Sequence, residues 1–251
     1  MLTEPHVHGR RLLHDWLPYC GEAPDPEGWL THWNFAPELI ACLLVVTGVA
    51  HWKRVNLRAK PTYALLALFC FLYISPFCAF GSALFTVRIV HDVILAAVFA
   101  PLLIASFRLE DKSLPGTLTI WTAVHAITFW GWHAPALYGF AMSSDAVFWL
   151  MQITIVATAA AWWVKVIRSP APAAATGLLA TMVTMGALGA LLTFANRAYY
   201  APHWLTTRLW GLSPMEDQQI AGIVMWAPAS LVYLIAALTI LYRSLDSRAP
   251  A

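Results

Sequence analysis

The sequence predicts an all-α, polytopic membrane protein built as a bundle of seven transmembrane helices. Composition is the first observation. Of 251 residues, 60% are hydrophobic and only 11% are charged, against about a quarter charged in a soluble domain. Mean hydropathy, at +0.64, is the second. The third is that apolar stretches near the ~20 residues needed to cross a bilayer recur along nearly the whole length. Short segments of alternating polarity, which would mark a membrane β-barrel, do not stand out.

The first helix is expected from about Phe35 to Trp52, with Pro37 in its first turn, where a missing N–H costs least. The second covers about Thr62 to Gly81 and is kinked at Pro76. The third spans about Leu84 to Phe107, with Pro101 inside it. The fourth runs from about Leu118 to His133 and is stopped by "HAPALYG". The fifth covers about Val147 to Ile167, and the sixth about Thr176 to Ala195 after the linker "SPAPAAATG". The seventh starts near Pro214 and ends near Tyr242, interrupted by Pro228. An external tail (1–34), a seven-helix domain (35–242) and a cytoplasmic tail (243–251) follow from these spans. No internal repeat or soluble domain stands out.

Lys and Arg placement orients the bundle. Lys53, Arg54, Arg58, Lys60, Arg108, Lys112, Lys165, Arg168, Arg243 and Arg248 fall on one side. Arg10, Arg11, Arg197 and Arg208 fall on the other, with Arg88 just inside the third helix, so the balance is ten against five. The positive-inside rule then puts the N-terminus in the periplasm and the C-terminus in the cytoplasm. On that topology His6, His8, His14, His32 and His203 lie in external segments. His133 ends the fourth helix at the outer side, and His91 lies about two turns inside the third from the same side. His125, eight residues before His133, lies about 12 Å deeper. Only His51 is at the cytoplasmic end.

A net charge of +2 is too small to suggest a nucleic-acid partner. Cys20, Cys42, Cys70 and Cys78 form no CxxC, and three lie in apolar stretches, so buried small hydrophobes are expected rather than disulfides. The N-terminus has no apolar core of signal-peptide length and is expected to be retained.

Polar residues inside the spans carry the functional expectations. In "SPMEDQQIAGIVMW", Ser213 and Glu216 form a capping box with Pro214 at its first helical position, and Asp217 complements the helix dipole. Capping does not explain Gln218 and Gln219. Gln218, Gly222 and Met225 share a face, along which a polar notch could lead down to a thioether. In "RIVHDV", Arg88 and Asp92 are spaced to neutralise one another, which leaves His91 unexplained. Met182 and Met185, three apart, have a spacing that could present two thioethers to Cu(I), but packing is the expected role beside "GALGA", a run of small residues that reads as close helix contact. No nucleophilic triad, phosphate loop or dinucleotide fingerprint stands out, so an enzyme is not expected.

"LTFANRAYYAPHW" followed by "LSPMEDQQIAGIVMWAP", with "WHAPALYG" and "FAPLL" upstream, resembles the CtaG-type cytochrome c oxidase assembly proteins over about residues 35 to 242. The resemblance implies a bacterial inner-membrane factor serving a haem–copper oxidase subunit and handling copper at the periplasmic face, with a periplasmic copper chaperone as a further partner and a homo-oligomer as an option. Where many members carry a His-x-x-Gln-His arrangement, this chain has Arg88, His91 and Asp92. Where they carry a Glu-His pair, it has Met151 and Gln152. The copper reading expects His91, His133, Asp92, Asp217, His203 and Met225 around the metal, with Gln218, Gln219, His125 and Arg88 lining a polar pocket. The alternatives are a metal-free structural helper, a b-type cytochrome with His91 and His125 as axial ligands, and a small-solute channel or transporter.

Overall fold

A computed structural model describes residues 18–52 and 55–246. His6, His8, His14, Arg10, Arg11, Lys53, Arg54 and Arg248 lie outside the described residues. The described chain is helical, joined by turns, and contains no strand. Its helices are α1 (Pro37–Trp52), α2 (Ala59–Ile74), α3 (Pro76–Ala83), α4 (Phe85–Phe107), α5 (Leu118–Trp132), α6 (Pro135–Ala141), α7 (Asp145–Arg168), α8 (Ala171–Thr193) and α9 (Pro214–Asp246).

Among these, α4, α7, α8 and α9 are each long and apolar enough to cross a membrane, and α2 with α3 makes a fifth span if the bent pair counts as one. Seven spans would require α1 and α5 as well, which are 16 and 15 residues long. The kink expected at Pro76 is present as a 46° bend. Ser75 takes an extended backbone there and its hydroxyl accepts from the Phe77 N–H, so α3 restarts on a capped N-terminus with Pro76 in its first turn. Pro228, by contrast, sits inside a continuous α9.

The closest helix pair is α8 against α9, and its cause is the absence of side chains. A Cβ placed on Gly189 would stand 2.6 Å from the carbonyl oxygen of Gly222, nearer than real Cβ atoms come. The small-residue contact expected around "GALGA" is therefore real. It also closes the notch expected below Gln218, because backbone fills the space beside Gly222, and Met225 is buried in the apolar core instead. Met182 and Met185 pack into different core clusters.

One disulfide joins Cys20 to Cys78. This corrects the expectation of four buried thiols: the two residues are 58 positions apart in sequence, and only the fold brings them together. Cys42 and Cys70 remain free. α1 behaves differently from the other long helices. Its first turn joins the core through Leu39, but beyond that it makes no extensive contact with another helix.

Candidate functional site

The polar residues of "SPMEDQQ" serve as a clasp between helices. The capping box forms as the spacing requires: the Ser213 N–H donates to Glu216 Oε2 at 2.7 Å and the Glu216 N–H to Ser213 Oγ at 3.2 Å. Asp217 points the other way, to a second helix. Leu84 is extended, so the first N–H groups of α4 have no partner within their own helix. The Asp217 carboxylate accepts from the Phe85 N–H at 2.7 Å and the Thr86 N–H at 3.0 Å, and its carbonyl accepts from the Thr86 hydroxyl. An acid 131 residues away in sequence thus caps α4 and complements its dipole. Gln218 does the converse. Its amide N–H₂ donates to the carbonyl of Leu192 in the last turn of α8 and to that of Arg197 just beyond it, while its oxygen accepts from the Tyr199 N–H. Gln219, half-buried, takes no part.

An aromatic layer lies against this clasp. The Phe85 ring stacks on Tyr200, with centroids 3.7 Å apart, and meets Tyr138 edge-on. The Tyr200 hydroxyl donates to the His133 carbonyl. The Tyr138 hydroxyl lies 2.7 Å from His203 Nε2. Burial pushes the His203 pKa down to about 3, so the ring is neutral and shares one hydrogen bond with the phenol, whose direction the tautomer sets. His203 therefore holds the α8–α9 loop onto α6, and that nitrogen is not free for a metal.

One layer further in lie the residues of "RIVHDV". Arg88 is fully buried and forms no ion pair with Asp92, contrary to the spacing argument. The reason is directional: side chains lean toward a helix N-terminus, so an Arg four residues before an acid extends away from it. The guanidinium runs back to α3, 3.8 Å from Cys20 Sγ and 5.2 Å from the centroid of the Phe148 ring, in space left by Gly81. Asp92 instead faces its neighbour His91, whose Nδ1 is 3.3 Å from the carboxylate. The His91 ring is packed edge-on to Tyr73 and parallel to Phe77. Tyr73 in turn donates to Gln152 Oε1 at 3.1 Å. His133 completes the layer, with its Nδ1 donating to the Phe129 carbonyl at 2.7 Å.

His91, His133 and Asp217 are all buried, as a shared interior site requires. His125 belongs elsewhere: it faces the Thr158 hydroxyl and stacks on Trp162.

Several buried polar atoms of the site have no hydrogen-bond partner: Arg88 Nε and Nη1, His91 Nε2, His133 Nε2, His203 Nδ1, Gln152 Nε2 and Ser82 Oγ. Such atoms are uncommon in packed interiors. Among the described residues, however, no three His, Cys, Asp or Glu side chains converge so as to hold a metal ion. Asp217 has both carboxylate oxygens on backbone donors, and His203 has Nε2 on Tyr138. The set expected around copper does not form a closed coordination sphere.

Sequence reasoning missed Tyr73, Tyr138, Tyr200 and Thr86. Each is a hydroxyl in an apolar or aromatic run, and only its partner across the bundle distinguishes it from packing.

A family model described as cytochrome c oxidase caa3 assembly factor matches residues 43–247, and the chain belongs to this family. The match takes in every side chain of the clasp and the aromatic layer; Cys20 lies outside it. Neither a curated protein nor a solved structure matches the chain.

Proposed function

We propose that the chain is a non-catalytic assembly factor that holds a haem–copper oxidase subunit in the bacterial inner membrane during maturation. The topology we adopt has seven spans: α1, the bent α2–α3 pair, α4, α5, α7, α8 and α9. The N-terminus is periplasmic and the C-terminus cytoplasmic. The Cys20–Cys78 disulfide at the end where α4 and α9 begin supports this, because such bridges persist in oxidising compartments. Basic groups at the opposite end support it too: Arg58 pairs with Glu110, and Arg168 donates to the Glu110 and Lys112 carbonyls.

One observation carries the holding role over a metal-centred one. Asp217, Gln218 and His203, three residues expected around a metal or its pocket, are committed to joining helix ends. That makes a rigid periplasmic end on which a client subunit can be held.

A second reading, in which Cu(I) is a transient cargo, rests on a different observation. His91 and His133 each direct Nδ1 to an oxygen, a carboxylate and a backbone carbonyl, and leave Nε2 without a partner. Metal-binding imidazoles are oriented in this way, and imidazole with thioether suits Cu(I). The test is complementation of a strain lacking the protein with a chain carrying His91→Ala and His133→Ala together. The holding role expects oxidase activity and oxidase copper content within about twofold of wild type. An oxidase that assembles its haem but lacks copper would overturn it in favour of cargo handling.

A further inference from the structure

We infer that the cleft between α1 and the rest of the bundle receives one transmembrane helix of the client subunit, a helix with a Lys or Arg at its outer end. The inference rests on the assembly role proposed above and names where the client sits. The cleft has a volume of about 1310 Å³, and its walls are apolar: Leu39 and Val46 from α1, Phe69 from α2, Phe99 and Leu103 from α4, and Trp149 from α7.

Its size matches a helix. A cylinder about 10 Å across has a section of roughly 80 Å², so 1310 Å³ takes about 16 Å of it, or roughly eleven residues. That is about half a transmembrane span. Access is lateral, since Cys42, Val46 and Ile153 on the rim are exposed. α1 is free to act as one wall because it makes no extensive contact with another helix. A Cβ on its Gly48 would meet nothing within 4 Å, so a small-residue position on α1 has no neighbour against it.

The charge at the mouth selects the occupant. Glu38 opens α1 and Asp145 opens α7; both line the same end of the cleft beside Tyr19. The Tyr19 phenol, which lines the cleft with them, is pushed up first by burial, is lowered by hydrogen bonds to Asn34 and Trp149, and is raised again by both carboxylates, so the two charges act on the same end of the cleft. Neither forms an ion pair among the described residues. Two unpaired carboxylates repel the phosphate of a phospholipid headgroup. They complement a cationic side chain at the interfacial end of a helix, where Lys and Arg commonly anchor.

The experiment is in-membrane photocrosslinking of the full chain, with a benzophenone amino acid at Leu43 or Leu103 in the cleft and at Val183 on the exposed face of α8. It is done in cells that are assembling the oxidase. Adducts identified by mass spectrometry as an oxidase subunit are expected from both cleft positions, at least about fivefold above those from Val183. Glu38→Lys with Asp145→Lys should lower their yield about tenfold. Val46→Trp, which narrows the cleft without touching the core, should lower it as well. Lipid adducts alone at Leu43 and Leu103, or equal yields at Val183, would overturn the inference. Oxidase activity in a strain lacking the protein is measured alongside: if it is lost while the cleft gives no subunit adduct, the assembly role stands and only the docking site falls. If activity is unaffected by the deletion, the assembly role itself falls.

Discussion

The end of the bundle where α4 and α9 begin and the flank occupied by α1 are built on opposite principles. At the first, two helix termini are answered by side chains from another element and a loop is pinned: Asp217 caps α4, Gln218 takes the Leu192 carbonyl at the end of α8 and the Arg197 carbonyl beyond it, and His203 pairs with Tyr138. At the second, a helix of similar apolarity is anchored at its first turn and otherwise separated from its neighbours by a cleft. In lipid, apolar surface alone does not drive helices together, because the tails are as apolar as leucine. Small residues and polar contacts must do it. The α8–α9 pair and the clasp have both, whereas the small-residue position Gly48 on α1 has nothing packed against it.

That contrast makes quantitative demands. The largest effect is expected from Gly222→Leu, which drives a side chain into the α8 backbone at Gly189. Overpacking of this kind costs ~3 kcal/mol or more, and thermal unfolding in detergent should show the loss. If stability is unchanged, the two helices are not packed backbone to backbone. Asp217→Ala comes next. It leaves the buried Phe85 N–H and the half-buried Thr86 N–H without an acceptor, for a loss of about 3 kcal/mol, most of it the cost of unpaired donors. Amide exchange at residues 85 and 86 should rise selectively, and a uniform rise along α4 would count against the capping role. The smallest effect is expected from Val46→Ala on the wall of the α1 cleft, within about 0.5 kcal/mol of wild type. A loss comparable to that of Asp217→Ala would mean that α1 is packed as tightly as the rest, and the contrast would disappear.

What could be read without coordinates was whatever depends on neighbours in sequence. The Ser213–Glu216 box needs only residues three apart, the bend at Pro76 needs only a missing N–H, and the small-residue run before Thr193 announces close approach whatever its partner. Local spacing also misled. Arg88 and Asp92 have the separation of a helical ion pair in the order that suits it poorly, and the guanidinium found a disulfide and an aromatic ring instead. The face shared by Gln218, Gly222 and Met225 was real, but its apparent notch is occupied by another backbone.

The sequence by itself determined that this chain is a bundle of apolar helices, where most of them begin and bend, and which family it belongs to, because hydropathy, proline and short motifs act over a few residues. Only the tertiary structure decided that Asp217 and Gln218 hold other helices rather than a metal, that Cys20 meets Cys78, and that α1 stands aside. Each of those outcomes depends on a partner tens of residues away or more, and a buried polar group is defined by whichever donor or acceptor the fold sets against it.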